Sequence, residues 1–127
     1  MKKHGILNGP LNAALGTLGH GHLVVIADCG LPLPASAAVV DLALVKGTPR
    51  FGDVLRAVLD DVEIEGSLIA SEASGSVIEE IVRAEQLMPE LVAHEELKAL
   101  LPSTRLIIRT GEATPFANIV LRCGVTF

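Results

Sequence analysis

Five apolar residues in a row, Leu23 to Ala27, stand between a Gly-His-Gly-His stretch and Asp28-Cys29-Gly30-Leu31-Pro32. The run is short, β-branched and without alternation, the pattern of an interior strand covered on both faces. Upstream, Asn8 is placed to cap a helix, Pro10 suits its first turn, and Leu11, Ala14, Leu15 and Leu18 share one face until Gly19 ends it. Downstream, Val39 to Leu44 reads as a second strand with Asp41 at its start, and Lys46-Gly47-Thr48-Pro49 breaks the chain. Asp53 to Leu59 has the apolar spacing of a helix, and Val62 to Ala70 alternates before turning wholly apolar, a strand.

Ser76 with Glu79 resembles a capping box ahead of Val77, Ile78, Ile81, Val82 and Leu87, a stripe that closes before Pro89. A short helix spans His94 to Leu101, stopped by Pro102, and two strands follow, Arg105 to Arg109 and Asn118 to Arg122. Strands alternating with helices imply an α/β layer fold. No linker, repeat or low-complexity run divides the chain, so residues 1–127 are expected to form one domain.

Composition sharpens this picture. Half of the residues are hydrophobic but only 2% aromatic, so Leu, Val, Ile and Ala must build the core. The mean hydropathy of +0.51 exceeds what a small monomer hides easily, and part of the surplus is expected at subunit interfaces. A net charge of -5, with no Lys/Arg cluster and no stacking aromatics, excludes a nucleic-acid footprint. No apolar run reaches the roughly 18 residues of a membrane span, and the opening Met1-Lys2-Lys3-His4 leads into a polar turn instead of a signal-peptide core. A cytoplasmic location is expected. Cys29 and Cys123 are far apart with no CxxC and read as free thiols.

Candidate chemistry is sparse. His20 follows the expected end of the first helix, where the negative end of the macrodipole favours an imidazolium, a useful place for a proton donor. His20-Gly21-His22 also has the spacing of two zinc ligands, but a catalytic zinc needs a third and none stands at a telling distance. A solvated turn residue is the commoner fate of either histidine. Asp28, at the carboxyl end of a strand, sits where α/β sheets collect ligands, or it caps the following turn. Arg109 and Glu112 flank Thr110-Gly111 and either pair with each other or touch substrate; His94 and Lys98, four apart, share a helix face that is either wet or functional. There is no Gly-x-Ser-x-Gly, Walker loop, Rossmann fingerprint or defensible Ser/His/Asp set. Proton transfer without a cofactor is the expected chemistry.

Several segments, taken in order, resemble one family. They are Met1 to Asn8, Leu18-Gly19-His20, Asp28 to Pro34, Asp41 to Leu44, Arg109 to Glu112, Pro115 to Asn118, and the closing Gly124-Val125-Thr126-Phe127. Together they resemble the D-ribose pyranase and fucose mutarotase family from end to end, most closely its ribose pyranase branch. The resemblance implies a three-layer α/β/α fold and an enzyme that interconverts the pyranose and furanose forms of a free monosaccharide, supplying ribokinase after uptake. It implies His20 as proton donor, and Asp28, His94, Phe116, Ala117 and Asn118 as sugar-binding residues, with Lys98 a further contact. No metal or cofactor is implied, and the assembly is a ring-shaped homo-oligomer, a decamer.

Two positions depart from the family pattern. Phe116 stands where the family ordinarily has tyrosine, and a missing hydroxyl that strands its partner costs about 1–3 kcal/mol. His22 stands where an aspartate is usual, so no anion is supplied there to orient His20. A fucose-type mutarotase and a non-catalytic sugar-binding oligomer are the alternatives.

Geometry adds one expectation. At about 3.3 Å per residue, a strand over 23–27 holds His20 and Asp28 roughly 15 to 25 Å apart, much more than a pentose spans. His20 should therefore reach the cleft of a neighbouring copy, where Asp28, His94 and Asn118 hold the sugar.

Overall fold

The computed structural model describes residues 1–127. In chain order the elements are α1 (Gly9–Leu15), β1 (Leu23–Ala27), β2 (Val39–Asp41), α2 (Phe51–Asp61), β3 (Ile64–Ala70), α3 (Val77–Ala84), β4 (Glu90–Val92), α4 (His94–Leu100), β5 (Leu106–Arg109) and β6 (Ile119–Cys123). Single 3-10 turns follow β3 at Ser71–Ala73 and α4 at Leu101–Ser103. No helix is long and apolar enough to cross a membrane.

All six strands join one sheet in the order β2-β5-β1-β6-β3-β4. β6 runs antiparallel to both its neighbours, and every other pairing is parallel. The other five strands therefore point the same way and place their carboxyl ends along one edge. β1 lies between β5 and β6, with Val24, Val25, Ile26 and Ala27 fully buried, as its unbroken apolar run demands.

Alternation along the strands separates two cores. Val24 and Ile26 of β1, Leu106 and Ile108 of β5, and Ile119 and Leu121 of β6 face the larger cluster of 18 buried residues, packed under Leu11 of α1, Phe51, Leu55 and Val58 of α2, and Ile78 and Val82 of α3. Val25, Ala27, Ile107 and Val120 face the other way, into a cluster of 8 closed by Leu31, Leu97 and Leu101. The result is three layers, α/β/α, with the second helical layer thin. Beyond α4 the second face opens as a depression of about 290 Å³ between Leu23, Leu68, Leu100, Val120 and Arg122. Leu44, Val45, Met88 and Leu91 are also exposed, and the apolar surplus is on the surface.

The departures from the sequence expectations have local causes. The first helix stops at Leu15, not at Leu18, because Gly16 caps it and the Thr17 hydroxyl donates to Ala14 O at 2.8 Å. His20 is thus four residues beyond that cap, and the macrodipole argument for its charge lapses, since the effect fades within the last turn. Asp41 ends β2 instead of starting it: its Oδ1 accepts the Ala43 N–H, an Asx turn that takes 42–44 out of the sheet. β4 has no periodic signal and exists as an edge strand because 90–92 lies parallel to Leu68–Ala70. Pro102 ends α4 as expected but sits inside a further 3-10 turn. Ser76 caps α3 through the Ile78 N–H, while Glu79 reaches back one residue past the cap, to the Gly75 N–H.

Candidate active site

The carboxyl ends of β1 and β5, the amino end of β6 and the start of α4 surround a cleft of about 320 Å³. Asp28, Pro32, His94, Glu112, Pro115 and Phe116 are among its walls. This is where parallel strands leave unpaired backbone and diverging loops, the usual ligand position in such sheets.

Asp28 is the first residue after β1. Its backbone N–H donates to Asn118 Oδ1 at 2.8 Å, and its carboxylate Oδ2 accepts from Asn118 Nδ2, also at 2.8 Å. Oδ1 accepts the Gly30 N–H at 2.9 Å, so the turn-capping role weighed from sequence is present. A carboxylate offers about four acceptor positions, and this one keeps two for a ligand. Asn118 is fully buried and is not itself a wall of the cleft; it fixes Asp28. Ala117 likewise lies in the larger core, its side chain away from the cleft.

Phe116 adopts φ +61°, a left-handed conformation unusual for a bulky residue, and its carbonyl accepts the Asn118 N–H at 2.8 Å. That bend turns the aromatic ring to the cleft and sends the next two residues inward. The ring meets His94 edge to face, centroids 5.1 Å apart and planes at 77°. His94 is the first residue of α4, and its buried Nδ1 has no hydrogen-bond partner. Its backbone N–H donates to both oxygens of Glu72, at 3.1 and 3.2 Å, which supplies the cap that Ala93 cannot. The Ser71 hydroxyl, donating at 2.9 Å, holds the Glu72 carboxyl below its ordinary range, against desolvation and with help from His94 N–H.

Glu112 is the buried acid of the site, 4% exposed. Burial pushes its carboxyl up, but the N–H of Phe51 and the hydroxyl and N–H groups of Thr114 and Ala113 outweigh this and hold it below the ordinary value. Its charged partner is Arg50 at 3.3 Å, not Arg109. Arg109 instead lies opposite Asp41 in the β2–β5 register and pairs with it at 2.8 Å. The Arg109–Glu112 pair, one of the two readings the sequence leaves open, does not form, because Asp41 takes the Arg109 side chain and Arg50 that of Glu112.

His20, His22 and Lys98 lie outside the cleft. Lys98 pairs with Glu95 at 2.6 Å and lines a separate hollow with Leu33 and Pro34, so the spacing of four from His94 does not unite them. His22 Nδ1 accepts the Gly19 N–H at 2.9 Å and closes the turn before β1. His20 precedes β1 and therefore sits at the opposite edge of the sheet from Asp28, its side chain 60% exposed and its Nε2 3.0 Å from Glu65 Oε2. One chain brings Asp28, Asn118, His94, Phe116 and Glu112 together and leaves His20 apart. Glu72 gives no signal in the sequence because the His94 backbone it caps is 22 residues away; Glu112 stands out there as a candidate, but its contact with Phe51, 61 residues away, does not.

These features define an α/β protein with a small hydrogen-bonding cleft at the carboxyl edge of a mixed sheet, of a size and polarity suited to a compact polyhydroxylated molecule. The chain belongs to the RbsD / FucU transport protein family, whose model matches residues 1–126. It is 49% identical over 127 residues to a D-ribose pyranase from Cutibacterium acnes, covering all of both chains. It is 50% identical over 131 residues to a D-ribose pyranase from Geobacillus kaustophilus, covering all of this chain and 96% of that one. Among solved structures, Bacillus subtilis RbsD complexed with D-ribose matches with a TM-score of 0.93 and 39% identity over the whole of both chains. The fucose mutarotase from Streptococcus pneumoniae, solved with L-fucose, shares the fold at a TM-score of 0.82 and 19% identity, covering 99% of this chain and all of that one.

Proposed function

We propose that this chain is a D-ribose pyranase, an intramolecular isomerase that interconverts the pyranose and furanose forms of free D-ribose. Full-length similarity to D-ribose pyranases supports the substrate class. The observation that carries the site is the Asp28–Asn118 pair, a doubly tethered carboxylate with acceptor capacity left over, facing His94 across the cleft. Asp28 takes hydrogen bonds from sugar hydroxyls, His94 completes a polar contact through its ring, and Phe116 covers an apolar face of the sugar. Ala117 and Asn118 hold this arrangement from behind.

Opening a cyclic hemiacetal requires a proton delivered to the ring oxygen and another taken from the anomeric hydroxyl; closing through a different hydroxyl reverses both transfers. A positioned acid/base contributes roughly 10²- to 10⁴-fold to such a step, and a held sugar lowers the entropy cost of reclosure. His20 is the acid/base, delivered from a neighbouring copy to the cleft that holds Asp28. The whole chain works as one domain, in a ring-shaped homo-oligomer, a decamer, in the cytoplasm, serving ribose catabolism.

Exchange spectroscopy on D-ribose tests this, with L-fucose, allose and galactose as comparisons. Wild type should accelerate pyranose–furanose exchange of ribose, and His20→Ala should lose the acceleration while retaining most of the binding. A wild-type protein that leaves the spontaneous ribose exchange rate unchanged overturns the proposal in favour of a non-catalytic sugar binder. Acceleration confined to fucose favours a fucose-type mutarotase.

A further inference from the structure

His20 is not simply a solvated turn residue: a carboxylate has been brought to it by a specific backbone device. β3 and β6 pair Ile64 with Cys123 and then Gly66 with Arg122, so Glu65 is the extra residue of a bulge. Bulges re-aim a side chain, and this one turns Glu65 toward the amino edge of β1. Gly124 accommodates it, since a Cβ there would lie 3.2 Å from Glu65 Cβ. The His20 turn is held on the same strand end: Gly21 N–H donates to Cys123 O at 2.8 Å, and Cys123 N–H donates to His22 O at 2.9 Å. His20 Nε2 meets Glu65 Oε2 at 3.0 Å, and Arg122 Nε lies 3.5 Å from the other oxygen.

We infer that Glu65 is the positioning residue of His20, accepting its Nε2–H and so fixing which ring nitrogen exchanges protons with the sugar. The inference rests on the proposed acid/base role of His20. An ionised carboxylate only accepts, so Nε2 must carry the proton in this contact, leaving Nδ1 to the sugar. His22 cannot serve instead, because its Nδ1 already accepts from Gly19. Arg122, against the other carboxylate oxygen, limits the rotation of Glu65, so the imidazole is oriented from the chain that donates it, before it enters a neighbour's cleft. A histidine held by such a partner reacts from one tautomer and one orientation, and the gain is in the chemical step, not in sugar affinity.

The test uses the intact oligomer with three variants, read by ribose exchange spectroscopy and by ¹⁵N spectra of the histidine rings. Glu65→Ala should lower exchange at saturating ribose on the order of tenfold, a part of the acid/base contribution. The half-saturating ribose concentration should change less than about twofold, because Glu65 touches no sugar. The His20 ring pattern should pass from a single Nε2–H form to a mixture. Glu65→Gln, whose amide oxygen accepts the same proton, should recover most of both. The inference is overturned if Glu65→Ala keeps rate and ring pattern, or if Glu65→Gln is as impaired as Glu65→Ala. If instead His20→Ala still exchanges ribose at the wild-type rate, the acid/base reading itself has failed and this inference goes with it.

Discussion

Glu112 shows at the scale of one side chain how the site is stabilised. Its carboxylate accepts from Phe51 N–H at 3.3 Å, Ala113 N–H at 3.2 Å and the Thr114 hydroxyl at 3.2 Å, and pairs with Arg50. It thereby caps α2, whose Arg50 offers no side-chain cap of its own, and closes the turn that leads to Phe116. Because its folded pKa is lowered from 4.5, its contribution is fully present above the unfolded value and is lost as pH falls through the folded one. Glu112→Gln should therefore cost about 1–3 kcal/mol near neutrality, the range for buried donors left poorly matched, and should flatten the loss of wild-type stability below about pH 4.5. Urea midpoints at several pH values check this, and parallel curves for the two proteins would rule it out. Sequence alone leaves Glu112 and Arg109, near in the chain, either paired with each other or touching substrate. Register decides against the pair, placing Arg109 opposite Asp41, and register is set by long-range pairing that a single sequence does not display.

At the scale of elements, strong periodicity was readable and weak periodicity was not. The apolar run 23–27 coincides with β1, and the stripe at 54, 55 and 58 lies within α2, because each buries one continuous face. β4 is three residues long and owes its existence to its neighbour, so no local pattern announces it. The cleft side of the fold depends on a contact between loops that composition also conceals. Gly111 packs so closely on the Thr48 backbone that a Cβ would overlap it, and Gly47 N–H donates to Gly111 O at 2.5 Å. This contact locks the segment before Glu112 against the turn that precedes α2. Gly111→Ala should destabilise by about 1–3 kcal/mol through overpacking and should also weaken ribose binding, because the displaced loop carries Pro115 and Phe116. Gly9→Ala, where a Cβ meets nothing within 4 Å, is the control and should leave both the melting temperature and binding close to wild type. Equal behaviour of the two variants would show that the Gly111 contact does not position the cleft.

At the scale of the molecule, sheet direction divides the chemistry. Five strands run parallel, so residues just after them gather at one edge and residues just before them at the other. Asp28 follows β1 and His94 follows β4, whereas His20 precedes β1 and Glu65 lies at the beginning of β3. No rotamer of His20 bridges a five-residue strand of roughly 3.3 Å per residue, so a single copy cannot present both edges to one sugar. The family resemblance supplied the roles of His20, Asp28 and His94, and the strand between His20 and Asp28 supplied the expectation that those two act from different copies. Mixing two inactive proteins tests that expectation. His20→Ala and Asp28→Ala homo-oligomers should each fail to accelerate ribose exchange. After dissociation and co-assembly in equal amounts, about a quarter of the clefts should pair an intact Asp28 with an intact neighbouring His20, if subunits mix at random in a symmetric assembly. Exchange should then return to roughly a quarter of the wild-type rate per cleft, without any covalent change to either chain. If each active site were built within one chain, every subunit of the mixture would still lack a needed group, and no activity would return at any mixing ratio.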